Sequence, residues 1–224
     1  PAAAARGMSG GGGASAGDVS RETRERIEAL VSRETLSRLE AFAALILRWT
    51  ARINLVSRKD AAPAEIWSRH ILDSLQMLPL VPQGAFRAAD LGSGGGLPGL
   101  VLAIARPEIG FTLIESDRRK AAFLQTAIAE LKLNATVLSV RIEQARLEPS
   151  PLVTARALAA LPVLFGYAAP LLAPGGVCLF LKGRGADAEL TAAAEGWQMR
   201  AERFPSQTDA GAAILRISEL RRAA

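Results

Sequence analysis

The chain has 224 residues, a mass of 23.6 kDa, one cysteine, one histidine and a formal net charge of +5. That length holds one α/β domain with a modest appendage and excludes two catalytic domains. The single cysteine excludes an internal disulfide, and no run approaches the ~20 apolar residues of a membrane-spanning helix, so a cytoplasmic protein is expected.

Residues 1–20 read as a flexible, glycine-rich tail without the basic region and apolar run of a secretion signal. Residues 21–84 read as a helical front. Glu22–Ser32 is charged and helix-prone, and Glu34–Ile53 carries Leu36, Leu39, Phe42, Ala43, Ile46, Leu47 and Trp49 at helical spacing. A break over Asn54–Pro63 precedes a third helix, Ala64–Leu78, which ends at Pro79 and the turn Pro82-Gln83-Gly84.

Residues 85–224 alternate strands with helices. Strands are expected at Phe86–Asp90, Phe111–Glu115, Ala135–Val140, Leu152–Ala155 and Val177–Leu181, and helices at Leu97–Ala105, Arg118–Leu131 and Leu158–Leu172. A terminal hairpin of Gln198–Phe204 and Ala212–Ile217 follows. Such alternation requires crossover connections, so the fold class is α/β, a doubly wound and mostly parallel sheet of about seven strands, Rossmann-like, with an N-terminal helical extension.

The strongest local signal is Asp90-Leu91-Gly92-Ser93-Gly94-Gly95-Gly96-Leu97-Pro98-Gly99, which follows a strand and opens a helix. Glycines there let the backbone turn tightly and approach a ligand where a side chain would collide. The register Gly94-x-Gly96-x-x-Gly99 formally meets the dinucleotide fingerprint, so a nicotinamide cofactor has to be weighed. Asp90 and Gly92, however, occupy the strand end where that fingerprint begins. An acid beside the first glycine suits a cationic ligand such as S-adenosyl-L-methionine. Glu115 closes the next strand, where a carboxylate accepts hydrogen bonds from ribose hydroxyls.

Other chemistries lack their residues. One histidine excludes a His-rich metal site, Cys178 has no cysteine companion, and no G-x-S-x-G elbow is present. Methylation at cytosine C5 needs an exposed cysteine, whereas Cys178 lies in an apolar strand. The Asn/Asp-Pro-Pro-aromatic loop that serves exocyclic amines is replaced by Thr154-Ala155-Arg156-Ala157-Leu158. Guanine N7 carries no proton and needs no base, so positioning and electrostatics suffice. Arg156 and Lys182, at strand ends, are candidate donors to O6 or a phosphate. The cations are overwhelmingly Arg, with Lys only at Lys59, Lys120, Lys132 and Lys182. This suits a polyanionic partner, although genome composition alone also produces such a bias. His70 and Asp73, three apart on the third helix, share a face opposite Trp67, Ile71, Leu75 and Leu78. They form either a structural hydrogen-bonding pair or part of a lid or RNA contact.

These segments together resemble the bacterial 16S ribosomal RNA guanine-N7 methyltransferase G family (RsmG, also called GidB). The matching pieces are Asn54-Leu55-Val56-Ser57, Arg69-His70-Ile71-Leu72-Asp73-Ser74, the Asp90–Gly99 loop, Leu113-Ile114-Glu115-Ser116, Arg141-Ile142-Glu143, Ala155-Arg156-Ala157 and Leu181-Lys182-Gly183. The resemblance implies that Gly92 and Leu97 line the methyl-donor site, with Gly94 and Gly96 in the same loop, that Ile142 and Glu143 border the adenine, and that Arg156 contributes. It implies activity or RNA-docking roles for Arg141 and Lys182. The substrate it implies is 16S rRNA in the small ribosomal subunit or its precursor. A monomer without metal or membrane is expected. One departure is Ser150-Pro151-Leu152, where the family opens its fourth strand with an acid.

Overall fold

The computed structural model describes residues 19–223. Most of the expected tail, residues 1–18, lies outside the described residues. The first two helices, α1 (Arg21–Leu30) and α2 (Arg33–Thr50), begin where a serine can cap them. Ser20 Oγ accepts from the Thr23 N–H and Ser32 Oγ from the Thr35 N–H, so each satisfies one of the orphan donors of a first turn. Their apolar stripes bury Ile27 from α1 and Leu39, Phe42, Leu45 and Ile46 from α2.

The third helical stretch differs from expectation. Pro63–Glu65 and Asp73–Leu75 are α-helical, but Ile66–Leu72 between them is π-helical. The wider i→i+5 turn changes which side chains point inward. His70 is buried together with Ile66, Trp67, Ile71 and Leu72, so the expected division between a polar and an apolar face does not hold there.

Seven strands form one sheet in the order β3-β2-β1-β4-β5-β7-β6. They are β1 (Arg87–Leu91), β2 (Gly110–Ile114), β3 (Ala135–Leu138), β4 (Ser150–Arg156), β5 (Leu172–Lys182), β6 (Trp197–Pro205) and β7 (Ala213–Arg222). The first five are mutually parallel, and β7 runs antiparallel to both β5 and β6. The chain winds outward from β1 to β3 and then returns to β4 on the other side of β1. That reversal opens a crevice at the carboxyl ends of β1 and β4, where Asp90 pairs in register with Thr154.

Strand β5 begins earlier than Val177, because Gly175 in the left-handed region (φ 72°) lets Leu172 pair with Ser150 across a register shift. The helix expected from Leu158 starts at Leu161 and ends at Ala168, before a short 3₁₀ turn. Ala157 is itself left-handed (φ 49°), so the chain turns sharply after β4 before a helix can form. The helix Ala186–Ala193 has no counterpart in the sequence reading, because its inward positions, Ala186 and Ala193, are too small to create a periodic signal.

One face of the sheet packs against α1, α2, the π-helical stretch and the helices Gly99–Ala105 and Arg118–Leu131, with Phe42, Ile71, Leu100 and Phe123 in one apolar cluster. The other face packs against Leu161–Ala168 and Ala186–Ala193 around Phe165, Phe180 and Trp197. The front helices thus complete one side of the main core. Among the described residues no helix is long and apolar enough to cross a membrane.

Candidate active site

Two cavities meet at the switch point, and Ala157 lines both. The first, about 350 Å³, lies over the ends of β1, β2 and β3 and is lined by Gly92, Gly94, Glu115, Arg141, Ile142 and Glu143, with Lys120 and Tyr167 beside them. Six expected site residues are therefore brought together. A cavity of this size is ordinary for a small-molecule ligand.

The glycines of the loop divide into two groups. Gly92 (φ 61°) and Gly94 (φ 53°) border the cavity; a Cβ on Gly94 would meet nothing nearer than 3.8 Å, whereas one on Gly92 would lie 2.6 Å from Leu158 Cδ1. Gly96 and Gly99 face the protein instead: a Cβ would lie 2.7 Å from Leu100 Cδ1 in one case and 2.6 Å from Asp90 Oδ2 in the other. Only the first glycine of the dinucleotide register thus lies at the cavity. The other two admit internal packing. Glu115 pins the loop, since its Oε2 accepts from the Gly94 N–H at 2.8 Å and its Oε1 from the Asp117 N–H at 2.7 Å. Each oxygen retains a lone pair, which is what a ribose diol requires.

Asp90 does not reach the cavity. It is fully buried beneath the loop, its Oδ1 accepting from Thr154 Oγ1 at 2.6 Å while Oδ2 has no hydrogen-bond partner among the described residues. Burial pushes its carboxyl up to about 6, against the pull of Thr154. The expected direct contact with a cationic ligand is therefore corrected to a place under the loop; Gly99, lacking a side chain, makes room for the carboxylate. Gly96 and Leu97 also lie outside the set of residues lining this cavity, and Leu97 is buried in the core.

The second cavity, about 330 Å³, lies between the π-helical stretch, the ends of β4 and β5, and the β6–β7 turn. It gathers His70, Asp73, Arg156 and Lys182 from the expected set, and Asp60, Arg69, Glu189 and Thr208 in addition. His70 and Asp73 are not directly bonded to each other as the pair reading expects. Both meet Arg156. Its Nη1 donates to His70 Nδ1 at 2.9 Å and to the Arg69 carbonyl at 3.1 Å, and lies 3.6 Å from Asp73 Oδ2. Asp73 Oδ1 accepts from Thr208 Oγ1 at 2.6 Å and from Gln76 Nε2 at 2.8 Å, tying the β6–β7 turn to the helix. Desolvation raises the Asp73 carboxyl above its usual range despite these bonds.

Lys182 is held rather than free. Its Nζ donates to Glu189 at 2.7 Å and to the Ala159 carbonyl at 2.8 Å, with 8% of the side chain exposed. Glu189 Oε2 also accepts from the Leu161 N–H at 2.8 Å, supplying the cap that Ala160 cannot. Arg156 borders the second cavity and not the first. Cys178 is fully buried, and burial pushes its thiol well above the usual range, as a non-reactive cysteine requires. No metal-ligating cluster occurs among the described residues.

Asp60, Thr208 and Glu189 escape sequence reasoning because each sits in a loop or an alanine-rich helix that carries no motif. Lys120 and Tyr167 reach the first cavity by facing inward from helices otherwise read as scaffold.

The sheet order, the glycine loop after β1 and the acid ending β2 define a class I, Rossmann-like methyltransferase fold. In architecture the chain is similar to N-methyltransferase NodS from Bradyrhizobium japonicum WM9 in complex with S-adenosyl-L-homocysteine, with a TM-score of 0.53 at 17% identity over 80% of this chain and 97% of that one. It is also similar to a chain of a fibrillarin/Nop5p complex, with a TM-score of 0.54 at 12% identity over 66% of this chain and 80% of that one. The chain belongs to the rRNA small subunit methyltransferase G (GidB) family, whose model matches residues 35–213. It is 99% identical over 217 residues to ribosomal RNA small subunit methyltransferase G of Acidiphilium cryptum (strain JF-5), covering 97% of this chain and all 100% of that one. It is 52% identical over 204 residues to the protein of the same name from Gluconobacter oxydans (strain 621H), covering 91% of this chain and 97% of that one.

Proposed function

We propose that the protein transfers a methyl group from S-adenosylmethionine to N7 of a guanine in 16S ribosomal RNA of the small subunit or its precursor, acting as a cytoplasmic monomer. The observation that carries this reading is the pair of cavities joined at Ala157, one with a glycine-and-glutamate cradle and the other with a buried arginine. The cradle fits the methyl donor, because Gly94 leaves backbone exposed to it, Gly92 lines the same cavity and Glu115 keeps acceptor capacity.

When bound, the donor supplies an electrophilic methyl on a sulfonium. Glu115 takes the ribose hydroxyls, Ile142 and Glu143 border the adenine, and Gly92 and Gly94 let the backbone come close. Asp90 and Leu97 act from beneath, holding the loop. In the second cavity Arg156, oriented by His70 and Asp73, donates to the guanine O6 and sets the base in line. Lys182 steadies the segment Ala157–Ala159 through the Ala159 carbonyl. Arg141, exposed at the lip of the donor cavity, is available to an RNA phosphate. No side chain need remove a proton, since N7 carries none. Residues 21–84 serve as the helical extension that walls the acceptor side, and residues 85–224 as the methyltransferase domain.

Incubation with radiolabelled methyl donor and small subunits, naked RNA or total extract, followed by mapping, tests this. Label at a guanine N7 of 16S RNA is expected. Label confined to protein or small molecules would overturn it.

A further inference from the structure

The second cavity presents both donors and acceptors, a combination that methyl transfer itself does not demand. Ala157, where the two cavities meet, shares its wall with Arg156, His70 and Asp60, and Arg156 is bonded to His70. Arg156 Nη1 is occupied by the Arg69 carbonyl and His70, but Nε and Nη2 make no hydrogen bond among the described residues. The guanidinium therefore keeps donors to spare. His70, 7% exposed, has a buried Nε2 with no partner among the described residues, so this wall is not yet satisfied.

The carboxylates of the cavity are not equivalent. Glu189 and Asp73 each have one oxygen bonded and one without a hydrogen bond among the described residues, but each sits against a cation of the cavity, Glu189 at 2.7 Å from Lys182 and Asp73 at 3.6 Å from Arg156. Asp209 accepts from Gly211 N on the exposed turn. Asp60 differs. Ser57 Oγ donates to its Oδ2, fixing the rotamer, while Oδ1 has only Arg69 Nε at 4.0 Å, and that arginine is drawn off to Glu65 at 2.7 Å. With its side chain 16% exposed, Asp60 offers a positioned acceptor that has no hydrogen-bonding partner on Oδ1 among the described residues.

We infer that Asp60 is a specificity-determining residue that accepts hydrogen bonds from N1–H and the 2-amino group of the acceptor guanine, while Arg156 donates to O6. This rests on the guanine-N7 reading above. Along one side of guanine the groups run N7, O6, N1–H and N2–H₂: two acceptors followed by two donors. The cavity wall offers an arginine next to the meeting point and a carboxylate in addition, which are the complementary groups. Adenine would set its amino group against the arginine and its N1 lone pair against the carboxylate, leaving both mismatched. Rejection of a wrong base by leaving buried polar groups unpaired is an effective form of discrimination.

The test compares small subunits carrying guanosine with subunits reconstituted to carry inosine at the modified position, which lacks only the 2-amino group. The wild-type protein should prefer guanosine in kcat/KM by on the order of tenfold. Asp60→Ala should lower kcat/KM for guanosine by on the order of tenfold or more, and for inosine by less, bringing the preference close to one. Asp60→Asn, which keeps one carbonyl acceptor and the Ser57 contact, should fall between them. Calorimetric affinity for S-adenosylhomocysteine should be unchanged in both variants. An undiminished guanosine preference in Asp60→Asn and Asp60→Ala, or an equal loss on both substrates, would overturn the assignment. Absence of wild-type label at guanine N7 would instead overturn the underlying reading.

Discussion

Arg156 Nη1 lies 2.9 Å from His70 Nδ1, and because a guanidinium can only donate, the imidazole is the acceptor and carries its proton on Nε2. Burial, reinforced by the positive charge of Arg156, pushes His70 down to about 4. The ring is therefore neutral at physiological pH and acts as an orienting group. With no proton on N7 to remove, the single-turnover methylation rate at saturating substrates should be flat between about pH 7 and 9. A titration limb that disappears in His70→Ala would make the histidine a base and refute this.

The same histidine and Asp90 impose opposite slopes on stability. His70 falls from 6.5 to about 4 on folding, so the unfolded chain binds more protons between those values and stability is lost as pH drops through that window, by roughly 3 kcal/mol if the burial is maintained. Asp90 rises from 3.8 to about 6, so here the folded chain binds more protons, and stability is lost as pH rises through its window. Relative to wild type, His70→Gln should thus gain stability on acidification from pH 6.5 to 4, and Asp90→Asn should lose it. Urea denaturation across that range reads both slopes; parallel curves would show that neither group is perturbed.

Glu115 has two backbone N–H partners, so its replacement affects both the loop and the ligand. Glu115→Gln places an amide NH₂ against one of those donors. It should weaken S-adenosylhomocysteine binding by about 1–3 kcal/mol in calorimetry while RNA docking barely changes. Full retention of affinity would remove Glu115 from the donor site.

Lys182 and Glu189 should behave as a coupled pair. Removing either leaves a largely buried partner and loosens Ala159 and the start of Leu161–Ala168, so Lys182→Ala and Glu189→Ala should each cost about 2–3 kcal/mol. The double variant should cost less than their sum. Donor affinity should stay near wild type in Lys182→Ala while methyl transfer drops. Strict additivity would show that the ion pair is incidental.

The first cavity was legible because its parts are local. A turn after β1 needs left-handed residues, so glycines mark it, and Glu115 follows one strand later in a crossover whose length is nearly constant. Which glycine faces ligand and which admits Leu100 or Asp90 was not legible, since both uses demand the same missing side chain. The π-helical turn around His70 was hidden too, because the apolar spacing of Trp67, Ile71 and Leu75 fits an ordinary α-helix.

By itself, then, the sequence determined the alternation of strands and helices, the glycine loop and the acid that ends β2, all set by backbone sterics and burial periodicity within short stretches of chain. The second cavity was decided only by tertiary structure. Arg156 meets His70 across 86 residues and Asp73 meets Thr208 across 135, and no local pattern records such encounters. They exist because winding reverses between β1 and β4, and packing the front helices against one sheet face carries the π-helical turn to the mouth of the resulting crevice.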